Sequence, residues 1–280
     1  MSPLVFTGER LHQDSPLFAV DIVRHRAAYA YAIAMAKAKG EAKGKTMGEA
    51  KAHGRILDLG CGTGYGTSEL AEALPQTFAV DRISPDSAAR HPRASFIRAD
   101  AAHLPFRPQI FDMVVSFQVI EHLEDPEPYV NAIARLLVPG GVALITTPNI
   151  LESDRENPFH VHEYQADELG NLLRSRFAEV EMLGVSARPE PKAYYDARLR
   201  RIRSIVRLDP LGLRNRLPRR LVDALFASLA VVVRRGIQRK DGLPQVKVDD
   251  FPILPALPDC LDLLAVCRRP LPDTPPANQR

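Results

Sequence analysis

Glycines alternate with other residues in one short loop, and this loop is the most informative feature of the sequence. The glycines stand at positions 60, 62, 64 and 66, directly after a short apolar run, and a segment with helical spacing follows at 67–74. Glycine lets the backbone turn sharply and approach a ligand closely, while the following helix presents its N-terminal N–H groups. This strand–loop–helix arrangement is how α/β sheets hold a nucleotide-like cofactor.

The spacing of the glycines argues against a dinucleotide. That fingerprint needs a third small residue, and Tyr65 or Thr67 occupies its position in the two available registers. The pattern that fits has three alternate glycines beginning at Gly60, with a carboxylate, Asp58, two residues before the first of them.

This pattern resembles motif I of the class I S-adenosylmethionine-dependent methyltransferases, and the chain is most similar to their type 11 group. The resemblance covers about residues 10–185 and the strand at 261–267. It implies S-adenosylmethionine as cofactor, with Asp58 near the cationic methionine end. The electrostatics agree, because a carboxylate attracts a sulfonium and would repel a pyrophosphate. The cofactor contacts that the resemblance implies within the loop are Gly60, Cys61, Gly62 and Gly64.

Further cofactor contacts are expected after the next strands. Asp81 ends the second predicted strand, where a carboxylate can accept hydrogen bonds from both ribose hydroxyls. The resemblance implies that Asp100 meets the adenine amino group, that Ala101 supplies a backbone N–H, and that Gln118 belongs to the same set. An aspartate that only stabilises a turn is the alternative interpretation at positions 81 and 100.

Two histidines are candidates for the catalytic base. Methyl transfer from a sulfonium is an in-line displacement, and an oxygen acceptor must also lose its proton, for which a histidine with a pKa near neutrality is suited. His122 follows the fourth predicted strand and His160 follows the fifth. His160 and His162 alternate, so an extended segment would present both on one face. A purely structural role in hydrogen bonding is the alternative for each histidine.

The stretch that ends in Glu121 and His122 also bears on metal binding. In ubiquinone-type O-methyltransferases the corresponding stretch is Glu-x-x-Glu-His and can hold a divalent ion. In this chain Gln118 replaces the first of those carboxylates. The expectation is therefore that no metal is bound.

Strands and helices alternate along the chain. Apolar runs and period predict strands at 56–59, 77–80, 94–98, 110–116, 142–147, 177–185 and 261–267, and helices at about 15–37, 67–74, 128–137 and 166–176. This alternation predicts an α/β, Rossmann-like fold with a mostly parallel sheet and helices on both faces. The resemblance implies seven strands, of which the last is antiparallel and lies beside the sixth.

The predicted domain organisation has four parts. These are an N-terminal helical cap and linker (1–54), a cofactor-binding Rossmann-like catalytic domain (55–187 plus 259–269), a basic helical insertion between strands six and seven (188–258), and a disordered tail (270–280). In this family the N-terminal helix covers the cofactor. Tyr29 and His25 on that helix are candidates either for lining the cofactor site or for core packing.

Positive charge is concentrated in the insertion. Residues 198–240 contain thirteen basic residues and two acidic ones, a local excess of eleven in a chain of net charge +3. The apolar run at 221–233 is too short to span a bilayer but suits a helix in the membrane interface. Because the insertion should emerge beside the cofactor crevice, we expect it to cap the substrate and to contact an anionic membrane surface. A soluble lid is the alternative, and the scarcity of interleaved aromatic residues argues against nucleic acid.

The remaining features predict a cytoplasmic protein, with peripheral association at the inner membrane face as an addition. The three cysteines (Cys61, Cys260 and Cys267) have no metal-ligand spacing, and the first 20 residues lack a secretory signal. The predicted function is S-adenosylmethionine-dependent methylation of a hydroxyl on a small-molecule, sugar or lipid-linked acceptor. The alternatives are a C- or N-methyltransferase, a catalytically silent protein that binds the cofactor and, less favoured, an NAD-dependent oxidoreductase.

Overall fold

A computed structural model describes residues 18–42, 54–85, 90–153, 157, 159–206, 236 and 242–272. The helices are α1 (Ala19–Ala42), α2 (Tyr65–Ala73), α3 (Glu127–Leu136), α4 (Ala166–Arg174) and α5 (Pro189–Val206). The strands are β1 (Ile56–Leu59), β2 (Thr77–Asp81), β3 (Ala94–Arg98), β4 (Phe111–Phe117), β5 (Leu137–Pro148), β6 (Phe177–Val185), β7 (Ile253–Pro255) and β8 (Asp262–Pro270). Short 3₁₀ helices span Ile120–His122 and Val248–Asp250.

The strands form one mixed sheet in the order β3-β2-β1-β4-β5-β8-β6-β7. Strands β1 to β5 are mutually parallel, and β8 runs antiparallel between β5 and β6. The α/β class and the antiparallel last strand are therefore confirmed. The predicted count of seven strands is wrong by one, because β7 pairs with the end of β6 at the sheet edge. This strand has three residues and ends in proline, a residue confined to edge strands because it cannot donate to a ladder.

Helices cover both faces of the sheet, as the apolar runs predicted. Alternate side chains of a strand point to opposite faces. In β4, Met113 and Val115 pack in the layer that contains Tyr29 of α1 and Leu70 of α2. Val114 points to the other layer, together with Ile133 of α3 and the apolar side of α4. Both faces of the central strands are therefore buried, as in other doubly covered parallel sheets.

Several predicted boundaries differ from the structure, most of all at the beginning of β5 and at the end of α1. Residues 138–141, between the predicted helix at 128–137 and the predicted strand at 142–147, are the beginning of β5, because α3 ends at Leu136 and the strand follows without a loop. Leu137 already pairs with Phe111, and the register shifts before Met113, so proline and glycine are accommodated in an irregular first part of the strand. The N-terminal helix continues to Ala42, beyond the predicted end near Lys37.

Buried charges join α1, α5 and β8 at one end of the sheet. Nη1 of Arg24 lies 3.2 Å from Oδ1 of Asp262, and Nη1 of Arg198 donates to Oδ1 of Asp21 at 3.0 Å. Tyr195 lies between the two guanidinium groups, whose carbons are 5.2 and 5.4 Å from its ring centre. The first helix of the predicted insertion is thus anchored to the N-terminal helix. The apolar run at 221–233 and the tail beyond residue 272 lie outside the described residues.

Candidate active site at the carboxyl rim of the sheet

The glycine loop lies at the carboxyl end of β1 and is held against β2. The backbone N–H groups of Gly60 and Cys61 both donate to the carbonyl of Val80, at 2.7 and 3.0 Å. Gly60 has a φ of 84°, and a Cβ there would stand 2.3 Å from Cγ2 of Val119, so only glycine fits. Cys61 is buried, and Gly64 is the N-cap of α2. The loop that was predicted from the glycine spacing is confirmed in its position.

Gly62 is the point where the loop faces open space. Its φ is 56°, and among the residues that the structure describes, apart from its chain neighbours, none has an atom within 4 Å of the place a Cβ would take. Its N–H donates to Oδ2 of Asp81 at 2.8 Å, and Oδ1 of the same carboxylate accepts from the N–H of Ile83 at 2.8 Å. Asp81 therefore connects the end of β2 to the loop. A carboxylate oxygen can accept more than one hydrogen bond, so these two bonds leave room for a ribose hydroxyl, and that contact stays a prediction.

Asp100 lies in a turn after β3 and is exposed. Its Oδ1 accepts from the N–H of Ala102 at 2.9 Å, and its carbonyl accepts from the N–H of His103 at 3.0 Å. Ala101 is half-buried inside this turn. Asp100 therefore stabilises a turn, which was the alternative interpretation from the sequence. The contact of Asp100 and Ala101 with adenine remains a prediction.

Asp58 is buried under the loop rather than displayed on it. Oδ2 accepts from Oγ1 of Thr67 at 2.6 Å, and the hydroxyl of Tyr29 donates to the two carboxylate oxygens at 3.3 and 3.4 Å. Burial raises the pKa of Asp58 to about 7, although both hydrogen bonds act in the opposite direction. The sequence singled out Asp58 and Tyr29 separately and missed Thr67. The hydrogen bond between Tyr29 and Asp58 could not be predicted from the sequence, because the two residues are 29 positions apart.

Gln118 follows β4, and its φ is 59°. Its side chain lies on the opposite face of the sheet from that of Glu121. Its Nε2 donates to Oγ1 of Thr146 at 3.3 Å, and its side chain also hydrogen-bonds to Asp262. Glu121 instead accepts from Oγ1 of Thr147 at 3.0 Å. Because Thr146 and Thr147 are neighbours on a strand, their side chains point to opposite faces of the sheet. Gln118 and Glu121 are therefore separated by β5.

His122 and His160 are brought together, with ring centres 5.2 Å apart. Nδ1 of His122 donates to the carbonyl of Phe159 at 2.8 Å. Nδ1 of His160 lies 2.6 Å from Oε1 of Glu163, and Nε2 accepts from the amide Nδ2 of Asn157 at 2.8 Å. These partners assign the ring proton to Nδ1 in both histidines. The two candidate bases, predicted from separate segments, thus form one cluster.

The expectation that His160 and His162 share a face is wrong. Nε2 of His162 lies 2.7 Å from Oε1 of Glu168, and the His162 side chain is half exposed. The segment is a turn rather than an extended strand, because the N–H groups of Val161 and His162 both point to the carbonyl of Glu121, at 2.7 and 3.2 Å. His160 therefore turns inward while His162 turns to solvent.

Comparisons with known proteins show the family to which this chain belongs. A family model described as a methyltransferase domain matches residues 57–145. Over 228 residues the chain is 33% identical to a protein of Mycolicibacterium smegmatis named as a probable S-adenosylmethionine-dependent methyltransferase, and the alignment covers 77% of this chain and 81% of that one. The chain belongs to the S-adenosylmethionine-dependent methyltransferases. The NAD-dependent oxidoreductase considered as an alternative is thereby set aside.

Two further comparisons extend this finding. A ubiquinone biosynthesis O-methyltransferase of Klebsiella pneumoniae is 33% identical over 103 residues, which are 34% of this methyltransferase and 43% of the relative. A solved structure from Thermotoga maritima, described as a methyltransferase and a possible histamine N-methyltransferase, superposes with a TM-score of 0.53 at 16% identity. That superposition covers 90% of this chain and 91% of the other. At this identity the likeness concerns the fold alone.

The loop geometry of the methyltransferase fits its cofactor. The open space at Gly62 allows the backbone to approach a ligand, with the N-terminus of α2 behind it. Asp81 is hydrogen-bonded to the N–H of Gly62 at this space, and Asp58 is buried with a raised pKa below the loop. When bound, S-adenosylmethionine supplies an electrophilic methyl group on a sulfonium.

Proposed function

We propose that this methyltransferase transfers the methyl group to a hydroxyl oxygen of a small-molecule, sugar or lipid-linked acceptor. The observation that supports this most directly is the pairing of His122 and His160 at the ends of β4 and β5. Acceptors in such sheets meet the cofactor at this rim. The relative from ubiquinone biosynthesis is itself named as an O-methyltransferase.

His160 is the better placed of the two as a base. The carboxylate of Glu163 accepts from Nδ1, so it orients the ring and stabilises the imidazolium that forms when Nε2 takes a proton. Oγ of Ser153 donates to the same carboxylate oxygen at 2.8 Å, which fixes Glu163. The acceptor hydroxyl would replace the amide of Asn157 at Nε2.

The proposed reaction is a single displacement. The acceptor hydroxyl gives its proton to Nε2 of His160 while its oxygen attacks the methyl carbon. The bond between methyl carbon and sulfur breaks, and its electron pair stays on sulfur as S-adenosylhomocysteine is formed. The imidazolium then releases its proton to water. Most of the rate enhancement comes from holding the oxygen in line with the methyl group.

Label transfer tests the nature of the acceptor. The protein is incubated with methyl-labelled cofactor and with panels of phenols, sugars and lipid-linked sugars, and each active acceptor is compared with its deoxy analogue. Oxygen methylation predicts labelling that disappears with the deoxy analogue. Labelling that persists would indicate carbon or nitrogen as the acceptor atom. Cofactor binding without labelling of any acceptor would favour the catalytically silent protein.

An anionic membrane surface is the partner proposed for the insertion. On α5, Arg200, Arg201 and Arg203 are exposed, and Arg188 just before the helix has a side chain 64% exposed. This helix follows β6 at the carboxyl rim, so a membrane bound there would bring lipid-linked acceptors to the entrance. Each exposed arginine contributes about 1 kcal/mol to binding at an anionic surface. Among the described residues, no helix has the length and apolar character needed to cross a bilayer.

Sedimentation with vesicles tests the membrane proposal. At low salt, the protein should pellet with phosphatidylserine-containing vesicles and stay in the supernatant with purely zwitterionic ones. Charge reversal at Arg200, Arg201 and Arg203 should reduce pelleting. Equal behaviour with both vesicle types would reject a membrane partner.

A further inference from the structure

We propose that Glu121, His122 and His160 form a binding site for a divalent transition-metal ion. One carboxylate oxygen of Glu121 and one ring nitrogen of each histidine lie within 4.8 Å of one another. Two imidazoles and one carboxylate are a donor set that suits Zn²⁺ and neighbouring transition metals rather than Mg²⁺ or Ca²⁺, which prefer oxygen ligands.

The two oxygens of the Glu121 carboxylate differ in their hydrogen bonding. The side chain is fully buried, and Oε2 accepts from Oγ1 of Thr147. Among the residues that the structure describes, Oε1 is buried and has no hydrogen-bond partner. A buried carboxylate oxygen without a partner is costly, and a cation bound to it would remove that cost.

The two histidines are held as metal ligands usually are. A ligating imidazole typically donates its other ring N–H to a carbonyl or a carboxylate, which fixes the tautomer and the ring plane. Nδ1 of His122 donates to the carbonyl of Phe159, and Nδ1 of His160 donates to the carboxylate of Glu163. In both rings this leaves the lone pair on Nε2.

Small movements are enough to close the site. Atoms bound to one tetrahedral Zn²⁺ at about 2.0–2.2 Å lie roughly 3.5 Å apart. The three donor atoms lie within 4.8 Å of one another, so they must approach by about 1 Å to coordinate one ion. The amide of Asn157, which donates to Nε2 of His160, must turn away when the ion binds. The backbone of the loop stays anchored, because the N–H groups of Val161 and His162 point to the carbonyl of Glu121.

The site departs from the Glu-x-x-Glu-His pattern considered above. Gln118, at the first position of that pattern, points to the opposite face of the sheet, where it contacts Thr146 and Asp262. The third donor, His160, comes instead from the loop after β5. The expectation of no bound metal was based on the stretch from Gln118 to His122 alone and did not include His160, which is 39 positions from Glu121.

Three protein ligands leave an open coordination position, as in catalytic rather than structural sites. The use of that position rests on the proposed O-methyl transfer. With the ion bound, that position would take the acceptor oxygen, and the ion would lower the pKa of its hydroxyl, so that the proton passes to water. In the metal-bound protein this replaces the role of base proposed above for His160, and both histidines act as ligands.

Calorimetric titration of the full chain with Zn²⁺, after treatment with a chelator and its removal, tests the site. One equivalent of Zn²⁺ should bind the wild-type protein, and Co²⁺ in its place should give the visible absorption bands of a low-symmetry site. Glu121→Gln and His160→Ala should each weaken Zn²⁺ binding by at least about tenfold. His162→Ala removes a histidine of the same loop whose partner is Glu168, and it should bind like the wild type.

A thermal shift on the wild-type protein avoids reliance on variants that fail to fold. Saturating Zn²⁺ should raise the unfolding temperature of the wild type and of His162→Ala, since a ligand that binds only the native state stabilises it. Absence of both a one-equivalent heat and a thermal shift would overturn the proposal, as would equal Zn²⁺ affinity in His160→Ala. Cofactor binding and label transfer are measured separately. A protein that binds Zn²⁺ but methylates no hydroxyl would refute only the proposed acceptor.

Discussion

The ring of Tyr29 lies where a side chain at position 66 would begin. A Cβ on Gly66 would stand 2.0 Å from Cζ of Tyr29. The hydroxyl of the same ring donates to Asp58 under the cofactor loop, and its edge packs on Phe117 with ring centres 4.8 Å apart. Position 66 is therefore glycine because Tyr29 of the N-terminal helix packs between the loop and the sheet and leaves no space for a side chain there.

Gly66→Ala should destabilise the protein by about 1–3 kcal/mol through overpacking against Tyr29. The sign is informative, because Gly66 lies inside α2 and alanine normally stabilises a helix interior by roughly 1 kcal/mol relative to glycine. Urea unfolding of a double-mutant cycle checks the cause. In a Tyr29→Ala background the same change should cost little or stabilise, and an undiminished cost there would mean that another contact is responsible.

The titration of Asp58 should lower the stability of the cofactor-free protein as pH rises. Its pKa is about 7 in the folded state because of burial, and near 4 in the unfolded chain. The folded protein therefore binds one more proton between these values, and this group alone reduces stability by roughly 1.4 kcal/mol per pH unit from pH 4 to pH 7.

Asp58→Asn removes this titration and should flatten the profile of stability against pH over the same interval. Asp100→Asn is the matched control, because it makes the same chemical change at an exposed carboxyl. Unfolding free energies in urea at several pH values measure the slopes. Equal slopes in the wild type and in Asp58→Asn would show that Asp58 is already ionised in the folded protein.

Arg24→Ala should cost about 3–5 kcal/mol, because it leaves Asp262 buried without its cation. Arg188→Ala is the matched control. Its side chain is 64% exposed and its nitrogen lies 3.8 Å from Asp250, so its loss should cost less than about 1 kcal/mol. Urea unfolding distinguishes the two. Similar small losses would mean that water or a neighbouring group compensates for Arg24.

Features that depend on neighbours in the chain could be predicted from the sequence. The glycine loop, β3 and β6 lie where apolar runs and turn residues indicated, and the layers on both faces follow from the continuous apolar strands. Contacts between distant segments could not be predicted in this way. Tyr29 against Gly66, Gln118 against Asp262 and His122 against His160 depend on how α1, β8 and the loop after β5 pack.

Local irregularities of the backbone explain why the sequence missed β7 and placed His160 and His162 on one face. β7 is short and proline-rich, so it carries no periodic signal, and it exists because the end of β6 offers an unpaired edge. His160 and His162 were assigned to one face on the assumption of extended backbone. The turn at 159–162 separates the two side chains, because the carbonyl of Glu121 accepts hydrogen bonds from two successive N–H groups.

Calorimetry of S-adenosylmethionine and S-adenosylhomocysteine binding to the wild type and to Gly62→Arg tests the central claim most directly. Gly62 has a φ of 56° and faces open space, so an arginine there would fill the cofactor position at the surface of the loop while the buried packing below stays intact. The account predicts one-to-one binding of both compounds to the wild type and no measurable heat with a folded Gly62→Arg. Unchanged binding in that variant, or no heat with the wild type, would contradict it.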